Sequence, residues 1–262
     1  MAASATATTG PRPTHEVWGT HWRGEQVTRR AVEKMVNREQ RTRRWLATRK
    51  ALADKFGSLR GLRTIEMGSG KGDVSLLLAL AGADATLLDY EADALVRGRE
   101  QFACYGLAPE TVVGDLFDVA PELLGRFDVA ISWGVVEHFR RPEAVEACRA
   151  HLRAVHDQGM VIISVPNAWS LPYRLNKWYR ELRGTWTWGL ELPFSPVELR
   201  EIGRRLGLRN VRVHGSPVVR DFDQFLLHPV MGRLERYFGL RTEVPSPIDR
   251  LLGHALTLFG QA

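Results

Sequence analysis

The sequence predicts an α/β fold, a mostly parallel sheet with helices on both faces, and three observations carry that prediction. Strand-like and helix-like stretches alternate from residue 63 onward. The strand-like runs, such as "DATLLD", "FDVAISW" and "GMVIISVPN", are apolar without a polar alternation, as expected of strands covered on both sides. The first of them runs straight into a loop with a glycine at every second position, "EMGSGKGD".

The elements follow in order. Residues 25–56 read as helical, with Val27, Ala31 and Met35 and then Trp45, Leu46, Leu52 and Phe56 near helical spacing, and a polar gap at 37–44 is expected to split the run. "LRTIEM" is the first strand and "DVSLLLALAG" a helix closed by Gly82; "DATLLD" and "EADALVRGREQFACYG" repeat that unit up to Gly106. "ETVVGD" is a third strand and "FDVAISW" a fourth. The turn "GVVEHF" and the helix "PEAVEACRAHLRAV" lead to a fifth, "GMVIISVPN". In "FSPVELREIGRRLG" Ser195 is the expected cap, Pro196 the first helical residue and Glu198 the partner that closes a capping box. "RNVRVHG" is a sixth strand, and "HALTLFGQA" is expected to be a final edge strand. The division this implies is a disordered tail at 1–14, a helical cap at 15–60, and a main domain at 61–262 with an aromatic-rich insertion at 168–194.

Bulk properties bound the function. With 262 residues, 44% hydrophobic and 25% charged, the chain can bury a full core without disulfides or a structural metal. Its two cysteines, Cys104 and Cys148, form no metal-binding or disulfide pattern. Together with a polar, proline-bearing N-terminus they point to a reducing, cytoplasmic setting. No apolar run is long enough for a membrane span. The net charge of +6 is concentrated in residues 23–50, where ten Lys/Arg face three Glu. Either this is the solvated face of a helix, or it is an arm for RNA or a membrane surface, and the tendency of charge runs to be solvated favours the first.

The glycine loop discriminates among ligands. A phosphate-cradling P-loop needs Gly-Lys followed by Ser or Thr and a glycine five positions upstream; here Gly70-Lys71 is followed by Gly72, and position 65 is Ile. The dinucleotide fingerprint needs a small residue at position 73, which is Asp, an acid that would face a pyrophosphate. What remains is Gly68, Gly70 and Gly72 behind an acid, Glu66. Such a loop admits a nucleoside closely, Glu66 can accept from an ammonium, and helix N–H groups can face a carboxylate. Those three groups together describe S-adenosylmethionine. Two further acids stand at strand ends: Asp89, placed for the ribose hydroxyls with Tyr90 against the adenine, and Asp115, placed for an exocyclic amine with Leu116 and Phe117 as walls. Each alone is as well read as a turn residue; three in succession are not.

On "EMGSGKG", "LLDY", "VVGDLFD", "FDVAISWGVVEHF" and "VIISVPN", the chain over residues 62–215 resembles the class I S-adenosylmethionine-dependent methyltransferases, in particular the ubiquinone/menaquinone-type small-molecule group. The resemblance implies a Rossmann-like seven-stranded sheet with a reversed last strand. It implies cofactor contacts from Glu66, Gly68, Ser69, Gly70, Gly72, Asp89, Tyr90, Asp115 and Leu116, with Ser132, Trp133 and Gly134 near the methionine end. It also implies that the N-terminal helices and the insertion form a lid over the acceptor, with His21, Trp22, Asn167, Trp169 and Tyr173 as candidate acceptor contacts.

Methyl transfer from a sulfonium needs alignment and exclusion of water, and a base only where the acceptor arrives protonated. His138, with Glu137 beside it, is the candidate base at the rim beyond the fourth strand; the competing reading is a residue that caps or packs. Related families bind a divalent metal at this turn through E-x-x-E-H. Here Gly134 replaces the first acid, so no metal is expected. The aromatic insertion suits a flat or lipophilic small acceptor, or else forms a small core of its own. The expected partner is thus a small molecule, with a homodimer compatible and nucleic acid disfavoured for want of a recognised RNA-binding module. The alternatives are an RNA methyltransferase using the 23–50 segment and a cofactor-binding scaffold without turnover.

Overall fold

The computed structural model describes residues 17–19, 21–22, 26–216 and 253–262. The tail read at 1–14 lies outside the described residues.

Residues 17–19 and 21–22 are helical, and two capped helices follow. Thr28 Oγ1 accepts from Ala31 N at the head of α1 (Arg29–Glu39), and Thr42 Oγ1 accepts from Trp45 N at the head of α2 (Arg43–Phe56). The polar gap is therefore where the chain breaks, with Thr42 supplying the second start signal. The buried stripe is Val32, Met35 and Val36, then Trp45, Thr48 and Leu52. Ala31, expected within it, is exposed, because the face of α1 that packs inward runs through Val32, Met35, Val36 and Glu39.

The strands are β1 (Arg63–Met67), β2 (Asp84–Asp89), β3 (Glu110–Val113), β4 (Phe127–Trp133), β5 (Val155–Pro166), β6 (Arg209–Gly215) and β7 (Ala255–Gln261), in the order β3-β2-β1-β4-β5-β7-β6. All neighbours are parallel except β7, which runs antiparallel to both β5 and β6. This is the seven-stranded sheet with one reversed strand. The expectation that the last strand lies at the edge is corrected: β7 is interior. Its residues from Leu256 to Gly260 are all buried, whereas β6, carrying Arg209, Asn210 and Arg212, is mostly solvent-facing and takes the edge. β5 also begins earlier than Gly159. Its first residue, Val155, pairs with Phe127 before a register break, and His156 Nε2 pairs with Asp128 Oδ1 at 2.9 Å to hold that extension.

Helices α3 (Asp73–Leu80), α4 (Ala92–Ala103), α5 (Arg141–Ala154), α6 (Leu171–Leu182) and α7 (Pro196–Arg205) complete the chain's regular elements among the described residues. One apolar core, under α1 to α4, contains Leu52, Leu76, Leu77, Leu87 and Ile162; the other, under α5 and α7, contains Ile65, Phe127, Val161, Leu199 and Leu258. Both faces of the sheet are covered, which is why its strands are apolar throughout. The box at α7 forms as read: Glu198 N donates to Ser195 Oγ (3.1 Å), and Ser195 N donates to Glu198 Oε2 (3.4 Å). The insertion at 168–194 contributes α6, a helix anchored through Pro172 and Tyr173 alone.

Candidate functional site

The glycine loop connects β1 to α3 and is fixed by the end of β2. Gly68 N and Ser69 N both donate to Leu88 O, at 2.9 and 3.0 Å. Gly70 N donates to Asp89 Oδ2 (2.7 Å), and Glu91 N donates to Asp89 Oδ1 (2.9 Å). Ser75 N, in the first turn of α3, donates to Glu66 Oε2 (2.9 Å). Gly70 (φ +52°) and Gly72 (φ +75°) stand in the left-handed region. A Cβ on Gly70 would meet the Trp22 ring at 2.7 Å, and one on Gly72 would meet Leu87 at the same distance. The alternating glycines thus serve close approach on both sides of the loop.

Between this loop and the end of β4 lies a cavity of about 290 Å³. Of the residues proposed for a cofactor, Glu66, Gly68, Ser69, Gly70, Asp89, Tyr90, Leu116, Trp133 and Gly134 line it. Burial pushes the Glu66 carboxyl up to about 8 and that of Asp89 up to about 6, and desolvation also raises the Tyr90 phenol. Three others do not reach the wall. Gly72 sits behind the loop as the cap of α3. Asp115 turns back to accept from Phe117 N (2.9 Å), leaving Gly114 and Leu116 to face the space. Ser132 is fully buried in β4, and its hydroxyl has no partner among the described residues.

Reading the basic run as a solvated face missed two residues within it, Arg38 and Arg44, which line the cavity. Most of its charges lie on the surface, in pairs such as Arg29–Glu33 and Lys50–Asp54. Arg44 instead points into the cleft, where its guanidinium stacks 3.7 Å over the Trp133 ring and Nη2 bonds Glu39 Oε2 at 3.2 Å. Desolvation lowers its pKa, offset in part by Glu39. The available signal was Glu39 itself, an acid in phase with the apolar stripe Val32, Met35 and Val36.

At the β4 end, the 3₁₀ turn Val136–His138 buries both candidate catalytic residues. His138 Nδ1 lies 2.7 Å from Leu190 O, a carbonyl that can only accept, so Nδ1 carries the proton and Nε2 of the neutral ring a lone pair. Burial lowers the His138 pKa against the opposing carbonyls of Leu190 and Gly134. His138 lines the cavity; Glu137 stands behind it, with Oε2 unpartnered among the described residues and its carboxyl pushed up to about 8 by burial. The insertion brings a third group. Glu191 is bonded by the Tyr173 hydroxyl and, like Glu137, is raised by desolvation; Glu137, His138 and Glu191 present ligand atoms within 4.8 Å of one another.

The candidate acceptor contacts divide. Trp22 lines the cavity beside Trp18, and His21 packs edge-on against both. Trp18 also meets the His138 ring edge-on at 5.2 Å and Trp188 at 5.6 Å, forming an aromatic chamber outside the imidazole. Asn167, Trp169 and Tyr173 do not reach the cavity. Asn167 Nδ2 donates to Gly253 O (2.8 Å) and its Oδ1 accepts from Trp169 N (3.0 Å), so the amide ties β5 to the start of β7. Trp169 is turned to solvent, and Tyr173 is the donor that holds Glu191.

These residues fit a nucleoside with an amino-acid tail. The loop forms a cradle that a Cβ would fill, acids stand at the ends of β1 and β2, Arg44 supplies a cation opposite them, and the Trp133 Nε1 donor at the cavity wall lacks a partner among the described residues.

Comparison with known proteins agrees. A family model described as a methyltransferase domain matches residues 37–213. Ubiquinone biosynthesis O-methyltransferases of Bordetella avium and Bordetella pertussis are 32% and 33% identical over 112 and 100 residues. Those stretches cover 42% and 38% of this chain, and 45% and 42% of the relatives, so the match spans less than half of each. In fold, the chain is similar to magnesium protoporphyrin IX methyltransferase from Synechocystis, solved with bound SAH (TM-score 0.55, 17% identity, covering 94% of this chain and 93% of that one). It is similar also to a SAM-dependent methyltransferase from Archaeoglobus fulgidus (TM-score 0.56, 18% identity, 84% and 94%). With the glycine loop, the strand-end acids and the sheet order in place, the chain belongs to the class I S-adenosylmethionine-dependent methyltransferases.

Proposed function

We propose that the chain transfers a methyl group from S-adenosylmethionine to an oxygen of a small aromatic or lipophilic acceptor. The observation that carries this reading is the aromatic chamber that runs from the glycine loop to His138: Trp22 packs on Gly70 and stacks with Trp18, and Trp18 meets both Trp188 and the His138 ring. Flat apolar walls suit an aromatic or lipophilic body, and a neutral imidazole suits an acceptor that arrives with its proton.

When bound, the cofactor supplies an activated methyl, so the chain's own residues have three tasks. Asp89 and the loop backbone hold the nucleoside, while Glu66 and Arg44 address the ammonium and carboxylate. The tryptophans exclude water and align the acceptor. His138 Nε2 takes the acceptor proton, with Nδ1 steadied by the Leu190 carbonyl. The O-methyltransferase relatives named above support oxygen as the atom methylated.

The reading includes no metal. Glu191 adds a third ligand atom to Glu137 and His138, but neither carboxylate lines the cavity, and the proposed chemistry uses His138 alone. Nucleic acid is disfavoured because the cleft is a narrow aromatic space and the basic helices spend several of their charges on local ion pairs.

The test is methyl incorporation from labelled cofactor into phenolic and catecholic compounds, amines and tRNA, with and without exhaustive chelation. Label in the phenols that survives chelation is expected. Label confined to tRNA or amines would sink the acceptor class, and turnover that requires added magnesium would sink the metal-free chemistry.

A further inference from the structure

We propose that α6 docks the protein onto the surface of an anionic lipid bilayer, lying in the plane of the headgroups. Ten large apolar side chains stand exposed among the described residues, and seven of them fall between Trp169 and Leu190. Five of those seven, Leu171, Leu175, Trp178, Tyr179 and Leu182, recur at steps of three and four along α6 and make one continuous stripe. Leu182 is 70% exposed and Trp178 61%. Tyr173, the side chain that anchors the helix, lies on the opposite side. An amphipathic helix of a folded domain ordinarily turns its apolar face to the core; α6 turns it outward.

The charges identify what would cover it. α6 and the residue after it carry Arg174, Lys177, Arg180 and Arg183 against a single acid, Glu181. Lys177 pairs with Glu181, and Lys177 and Arg180 lie over the Trp186 ring. Arg174 and Arg183 have no carboxylate partner among the described residues, and helical spacing places them on the two flanks of the stripe. An apolar strip with Trp and Tyr, bordered by cations, is the pattern that enters an interface of acyl chains beneath anionic headgroups. A second copy of this chain is the competing occupant, and the sedimentation measurement below separates it from lipid. Twelve helical residues reach about 18 Å, well short of the ~30 Å hydrocarbon core, so the helix lies on the bilayer and does not cross it.

The location gives the docking a consequence. α6 follows the carboxyl end of β5, and the same insertion supplies Trp188 to the aromatic chamber and the Leu190 carbonyl to His138. A protein held by α6 would present the insertion side of its cleft to the lipid. The inference stands apart from the acceptor class proposed above, because it requires only the exposed stripe and its flanks.

Co-sedimentation of the full chain with phosphatidylglycerol or phosphatidylcholine vesicles tests it. The chain is expected to pellet with the anionic vesicles, at least about tenfold more than with the zwitterionic ones, and to be released as salt rises from about 0.1 to 0.5 M. Leu175→Glu with Trp178→Glu should reduce the bound fraction about tenfold while circular dichroism and cofactor affinity stay unchanged, since both side chains are exposed and away from the cavity. Failure to pellet with anionic vesicles, equal binding to both kinds, or undiminished binding by the double variant would each overturn it. So would sedimentation velocity showing a dimer that the double variant dissolves.

Discussion

The two ends of the cleft treat their polar atoms differently. At the glycine-loop end both strand-end acids are tied to backbone: Asp89 accepts from Gly70 N and Glu91 N, and Glu66 accepts from Ser75 N. At the β4 end Ser132 Oγ, Trp133 Nε1 and Glu137 Oε2 are buried without partners among the described residues, against Ser75 Oγ at the loop end, while burial pushes carboxyls toward neutrality at both ends. The first end is a preformed mould for a ligand of fixed shape. The second holds polar capacity in reserve, which is costly for stability and is found where chemistry is done. On the proposed reading, one end recognises and the other reacts.

The largest expected effect breaks the mould. Gly70→Val places a branched side chain at φ +52°, at a strain of about 1–2 kcal/mol, and drives it into the Trp22 ring. Cofactor affinity should fall by about 100-fold or more by calorimetry, while the far-ultraviolet circular dichroism of the sheet and helices is retained. Affinity within threefold of wild type would mean that the loop is not the mould.

The reacting end should answer in a different quantity. His138→Ala is expected to cost roughly 10²- to 10⁴-fold in turnover, the range of a positioned general base, and to leave cofactor affinity within about threefold. Equal and mild losses in both would make His138 a packing residue and erase the contrast between the ends.

The same contrast explains what could be read in advance. The mould is built from residues contiguous in sequence or set at strand ends, so the glycine spacing, Asp89 and the strand-helix order announce it. Sheet position is less legible: "HALTLFG" records that a strand is apolar, and only the weaker burial of β6 decides which of the two takes the edge. The reacting end is assembled from distant segments. Glu191 reaches Glu137 and His138 from an insertion more than fifty residues downstream, Arg44 enters from a helix whose other cations face solvent, and Asn167 proves to be a tie between strands. No local pattern encodes those meetings, because each is fixed by how the lid and cap pack on the sheet.

The smallest effect, and the sharpest for the reserve of polar capacity, is a pH slope. Burial raises the Glu137 carboxyl from 4.5 to about 8, so between those values the folded chain keeps a proton that the unfolded chain has released. Its contribution is therefore fully present below about pH 4.5 and is lost as pH rises toward 8. Glu66 and Asp89 act in the same sense, whereas the lowered His138 and His151 act oppositely, costing stability as pH falls below 6.5. Glu137→Gln preserves the size and the neutral form while removing that one titration. Urea unfolding should then find the variant gaining about 1 kcal/mol or more on the wild type between pH 5 and pH 8. Parallel slopes would show that the Glu137 carboxyl titrates normally, and the unpartnered polar reserve at the β4 end would lose its strongest member.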